Sequence, residues 1–185
     1  MRIIPRIFVA TLAVALMLGG CVPTTPSASP TPKTSATPVF ASEAEALAAA
    51  TKAYAAYQEM LDEAFATYDA SRLERVATGT ALKKAKESVS AYRGSGKRQT
   101  GGATIDSVSL IGSEPLLLGD SETTRTQAYL CLDLTQVDVV GSDGMSVVPS
   151  GSDRRFPIIA TFVWQRSPGV LLVEGDESWS GEYFC

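Results

Sequence analysis

AYRGSGKRQTGGATIDSVSLI, residues 91–111, is where the periodicity of this 185-residue chain changes. Up to Tyr92, apolar side chains recur at steps of three and four, as the buried face of a helix requires; from Ile105 onward they alternate, as one face of a sheet requires. Gly94 reads as the stop of the helical part, because glycine takes the left-handed conformation that ends a helix at no steric cost. A chain that is helical before one point and stranded after it does not build alternating β-α-β units. It implies α+β, with N-terminal helices packed on a curved, mainly antiparallel four-stranded sheet.

Working backward, Leu82, Ala85, Val89 and Tyr92 form the buried stripe of a helix capped by Thr80. A capping box, Ser71-Arg72-Leu73-Glu74, predicts a short helix ending near Thr78-Gly79. Another, Ser42-Glu43-Ala44-Glu45, opens a long amphipathic helix to about Tyr68, with Leu47, Ala50, Tyr54, Tyr57, Leu61, Ala64 and Phe65 on its apolar face. Working forward, strands are predicted at residues 105–111, about 124–140, 154–166 and 170–179, separated by turns rich in glycine, proline, serine and aspartate. One long helix, two shorter ones and then long curved strands resemble the nuclear transport factor 2-like (cystatin-like) domain. The resemblance covers nearly all of residues 42–185 and rests on element order rather than on a motif. It implies a cone-like fold and no particular activity, since that fold serves enzymes, ligand binders and assembly modules alike.

Residues 1–6 carry Arg2 and Arg6 and no acid, and residues 7–18 are an apolar run too short for a lasting membrane span. Leu18-Gly19-Gly20-Cys21 comes next, and it resembles the bacterial lipobox. That resemblance implies a lipoprotein signal peptide over residues 1–20, cleavage before Cys21, and acyl chains, a thioether-linked diacylglycerol first, on the new N-terminal cysteine. Residues 21–41 are then a lipidated cysteine and a Pro/Thr/Ser tether, too poor in apolar side chains to offset chain entropy. At roughly 3 Å per residue it reaches up to about 60 Å from a membrane surface. Such stretches are similar to the stalks of lipoproteins from high-GC Gram-positive bacteria. The implied location is the outer face of the cell membrane, with the membrane as partner through Cys21.

Residues 42–185 are enough for one domain with a core of its own. Without residues 1–20 the chain loses two arginines and no acid, so its net charge falls from -4 to -6. An acidic domain lacks the basic face that nucleic acid requires. Cys131 and Cys185 are an even pair in an exported chain, which leads us to expect a disulfide between them; a free buried pair is the alternative.

The chain contains no histidine. That removes imidazole acid/base chemistry, Ser-His and Cys-His nucleophiles, and histidine metal ligands together. No cofactor or metal motif is read. Gly94-Ser95-Gly96-Lys97-Arg98 fails as a phosphate loop, because Ala91 stands at the first glycine position and Arg98 at the Ser/Thr position. Asp133 alternates with Leu130, Leu132 and Leu134, so it is expected on the face away from the helices. Glu174, Asp176 and Glu177 read as a solvated acidic turn. The candidate pocket-lining residues are Tyr54, Tyr57, Phe65, Phe162 and Trp164, whose spacing equally describes a simple core.

The expectation for function is a non-enzymatic interaction or accessory lipoprotein at the cell envelope, meeting an envelope protein. The alternative is a binder of a small apolar or aromatic ligand inside the cone. A histidine-free isomerase or hydrolase comes third.

Overall fold

A computed structural model of the chain describes residues 39–118, 121–166 and 168–185. Cys21, the expected signal peptide and the expected tether as far as residue 38 lie outside the described residues. In chain order the elements are α1 (Glu43–Thr67), α2 (Gly79–Ser95), β1 (Arg98–Thr100), β2 (Thr104–Leu118), β3 (Ser121–Asp133), β4 (Asp138–Val140), β5 (Arg155–Gln165) and β6 (Val170–Ser178). β2, β3, β5 and β6 form an antiparallel four-stranded sheet in that order, and β1 pairs with β4 in a separate ribbon. The fold is α+β.

α1 begins as its sequence dictates. The Ser42 hydroxyl accepts from the Glu45 N–H at 3.2 Å, and the Glu45 carboxylate reaches back to the Ala41 N–H at 2.7 Å, one residue beyond a standard capping box. Its buried face carries Ala46, Ala50, Tyr54, Tyr57, Gln58 and Ala64. The small residues let the helix lie close across β2, β3 and β6. Packing begins before the helix, because the Phe40 ring, in the stretch read as the end of the tether, is buried edge-on against Trp164.

The short second helix predicted from Ser71 is only a 3-10 turn, Leu73–Arg75. Its residues are needed elsewhere. The Val76 carbonyl accepts from the Val173 N–H at 2.9 Å and the Thr78 N–H donates to the Val173 carbonyl at 2.8 Å, so the segment caps the outer edge of β6. α2 therefore starts at Gly79, with Thr78 rather than Thr80 at its cap. It ends at a glycine, as expected, but at Gly96 instead of Gly94; a φ of 65° there allows the Lys97 N–H to reach the Tyr92 carbonyl at 3.0 Å.

The long strand expected over residues 124–140 breaks in two. The Asp133 carboxylate accepts from the Thr135 N–H at 2.7 Å, and the turn closes with the Val137 N–H on the Leu134 carbonyl at 3.0 Å. β4 then leaves the sheet to pair with β1, a strand not predicted because three residues before a glycine pair show no alternation to read.

A bulge in β6 sets which way its acidic residues point. Thr161 pairs with Gly175 but Phe162 pairs with Val173, so Glu174 is an extra residue in the strand. Without it Val173 and Asp176 would point to opposite faces; with it Asp176 lies opposite Ala160, on the helix-covered side.

The core fills the space between that side and the helices, from Phe162, Leu130, Ile158, Ala160 and Val173 on the sheet to Ala50, Tyr54 and Tyr57 on α1. On the opposite face the C-terminal tail turns back. Trp179 and Phe184 pack edge-on against Tyr129, with ring centroids 5.1 and 5.6 Å away, and the Tyr183 hydroxyl donates to the Arg155 carbonyl at 3.2 Å. Cys131 and Cys185 meet there as a disulfide-capable pair with Cα atoms 5.3 Å apart. Asp133 and Cys131 sit on this outer face, as their alternation with the leucines requires.

Candidate functional site

A cavity of about 390 Å³ opens between the C-terminal half of α1, the β1–β4 ribbon and the ends of β3 and β5. From α1 it takes Tyr54, Gln58, Leu61, Asp62 and Phe65, a stripe at helical spacing. Leu132 and Ile158 contribute from the sheet, Phe156 stands at its rim, and Val139 with Val148 come from the ribbon side. Most of the wall is therefore apolar, with a few polar groups set into it, the usual make-up of a small-ligand site.

The polar groups form two sets. In the first, the Tyr54 hydroxyl donates to the Asp176 carboxylate at 3.3 Å, the contact that the β6 bulge makes possible. Burial, and then the charge of Asp176, hold the Tyr54 phenol well above its ordinary pKa, and the same two causes raise Tyr57. Both remain protonated donors at neutral pH. In the second set, the half-buried Asp62 carboxylate accepts from the Gln99 side chain at 2.5 Å and from the Ala103 N–H at 3.0 Å. Burial raises the Asp62 pKa, against the pull of those two hydrogen bonds. Arg154 also lines the cavity, but its guanidinium donates to the backbone carbonyls of Leu134 and Val137.

The raised pKa of Asp62 predicts a direction. A carboxyl that binds its proton more tightly in the folded state stabilises the fold at low pH and loses that advantage as pH rises through its folded pKa. Comparing the chain with Asp62→Asn cancels the other carboxylates. Urea unfolding at a series of pH values should show the parent losing stability relative to the variant between the unfolded and the raised folded pKa of Asp62, and no change outside that window.

The five predicted pocket residues divide. Tyr54 and Phe65 line the cavity. Tyr57 and Phe162 are core side chains, 3% and 0% exposed. Trp164 lies at the other end of the sheet, under Phe40 and beside a separate groove. Asp176, expected in a solvated turn, instead faces the cavity; Glu174 from the same stretch pairs with Arg125 at 3.1 Å. Gln58 and Asp62 escape a reading for aromatic spacing, although they lie four and eight residues after Tyr54 on the same stripe. A polar residue at a stripe position is the signal that marks them. Among the described residues no three His, Cys, Asp or Glu side chains group as metal ligands, and no helix is long and apolar enough to cross a membrane.

No protein-family model matches the chain, and no curated protein matches it in sequence. Among solved structures it is similar to the intermembrane space region of the chloroplast protein ARC6, at 14% identity, covering 73% of this chain and 97% of that one, with a TM-score of 0.43.

Proposed function

We propose that this chain is an envelope lipoprotein whose α+β domain works by binding, and that the apolar cavity beside α1 is its recognition site for a small apolar or aromatic ligand. The observation that carries the binding reading is the cavity itself, largely apolar and ringed by fixed polar groups. Residues 18–21 and the tether-like composition after them support anchoring at the outer face of the membrane through Cys21, and the element order supports a nuclear transport factor 2-like domain. The Cys131–Cys185 pair supports an oxidising compartment.

A second reading, contact with an envelope protein, has its own support. Met145 and Val147, 67% and 46% exposed, sit on the loop that folds back on β4 beside the cavity. Methyl NMR of the full chain separates the two. Titrated toluene should shift the methyl signals of Leu132, Val139 and Ile158, Val139→Trp should abolish the shift by filling the space, and Met145→Ser should leave it intact. Toluene shifts confined to Met145 and Val147 would overturn the cavity reading in favour of the surface one.

Anchoring is tested separately. Cys21→Ala should leave an unprocessed, unacylated chain, seen as a loss of metabolic palmitate label and a larger mass. A mutant still cut before residue 21 and acylated would overturn it.

A further inference from the structure

The geometry points to an organic cation as the occupant of the cavity: an amine carrying an aromatic or short apolar body. This rests on the cavity being a binding site and adds what it selects.

The cavity wall carries more negative than positive charge, three carboxylates against the one guanidinium of Arg154. Asp62 and Asp176, both half-buried, line the cavity, and Asp153 stands exposed at its edge. Among the described residues the ion pairs join Arg72 to Glu63, Lys86 to Glu74, Arg125 to Glu174 and Arg155 to Asp106; none reaches a cavity carboxylate. Among the described residues, every hydrogen bond that Asp62 and Asp176 accept comes from a neutral donor: an amide side chain, a backbone N–H and a phenol. The cationic side chain in the wall, Arg154, is held by the Leu134 and Val137 carbonyls. A carboxylate taken partly out of water is normally matched by a cation, because desolvation costs more than neutral donors return. Here the wall's cation, Arg154, is turned to backbone carbonyls and, among the described residues, pairs with neither carboxylate, so the match is left to whatever enters.

The remainder of the wall fits such a guest. Phe65 and Tyr92 stand as a tilted pair with centroids 4.6 Å apart, and Tyr54 and Phe156 add two further rings to the lining. Aromatic faces attract a cation and accept an apolar body equally well. The same carboxylates repel an anion of the same shape. A fatty acid, a nucleotide or an aryl carboxylate would add further negative charge to an apolar space where it is poorly screened.

The test compares isosteres on the full chain. Phenethylamine, phenethyl alcohol and hydrocinnamate share a ring and a linker of similar length and differ in charge. With the Leu132, Val139 and Ile158 methyl signals as readout near neutral pH, the amine should bind about tenfold tighter than the alcohol, as one charge-assisted contact provides. Hydrocinnamate should bind weakest. The preference should shrink as sodium chloride is added. Asp62→Asn and Asp176→Asn should each reduce amine affinity several-fold and leave the alcohol unchanged, and whichever variant fails to fold, the isostere series on the parent chain still decides. Equal binding of amine and alcohol, or tighter binding of hydrocinnamate, overturns the charge selection while leaving the cavity a binding site. If neither these three nor toluene moves the cavity methyls, both readings fall together.

Discussion

Phe162→Ala is expected to destabilise the domain by about 3–5 kcal/mol, measured as a shift of the urea midpoint at unchanged slope. Phe162 is fully buried in the middle of β5, paired with Val173 of β6, and its ring meets Tyr54 edge-on with centroids 6.3 Å apart. Truncation removes the ring's burial and leaves a void between α1 and the sheet that backbone on both sides prevents from closing. For a domain of this size that corresponds to a fall in Tm of roughly 10 °C. Phe162→Leu, which keeps more of the volume, should cost less than half as much. The effect should reach the site, because Tyr54 leans on this ring and holds the hydrogen bond to Asp176. Toluene binding to the variant should therefore weaken although Phe162 does not line the cavity. A loss below about 1 kcal/mol would mean that the ring is not where α1 and the sheet meet.

How much of this is legible in the sequence depends on the range of the forces involved. The change of period after Tyr92 is local, so the α+β class can be read directly, as can the Ser42 cap and the outward alternation of Cys131 and Asp133. The 3-10 turn at Leu73 is not legible, because its box residues look helical in isolation while the bonds between Val76, Thr78 and Val173 are made to a strand almost a hundred residues later. Asp176 is hidden for a related reason. Strict alternation cannot reveal that Glu174 is a bulge, and one extra residue turns every later side chain over. The aromatic candidates fall into one predicted pocket because spacing identifies a face and says nothing of position along it. Tyr54, Phe162 and Trp164 do share the helix-covered side, yet only Tyr54 of the three reaches the cavity. Asp62 is legible in principle: a carboxylate eight residues after Tyr54 on an apolar stripe is a buried charge, and a buried charge asks for a partner.

Opening the Cys131–Cys185 link is expected to cost the oxidised chain about 4 kcal/mol. The two residues are 54 apart, and closing a loop of that length removes about this much conformational freedom from the unfolded state on the chain-entropy account. Cys185→Ser should show that loss. Cys131→Ser should show a similar loss, because residue 131 is 1% exposed but the Asp106 carboxylate and the Arg155 guanidinium, each 3.9 Å from the sulfur, are at hand for a hydroxyl there. Thiol labelling of the unfolded, unreduced chain should find neither cysteine free, and a reductant should lower the stability of the parent to that of Cys185→Ser while leaving the variant where it was. A variant within about 1 kcal/mol of the parent, or two reactive thiols, would mean that the pair is not bonded in the mature protein. Locally the consequence falls on one side of the sheet. Released from Cys131, residues 179–185 keep only the rings on Tyr129 and a few hydrogen bonds, so protease should remove the tail first. The cavity lies on the other face and draws no wall residue from the tail. Toluene binding should survive in Cys185→Ser under conditions where the domain is still folded, in contrast to Phe162→Ala, because the cysteine pair lies across the sheet from the cavity while the Phe162 ring packs on Tyr54 in its wall.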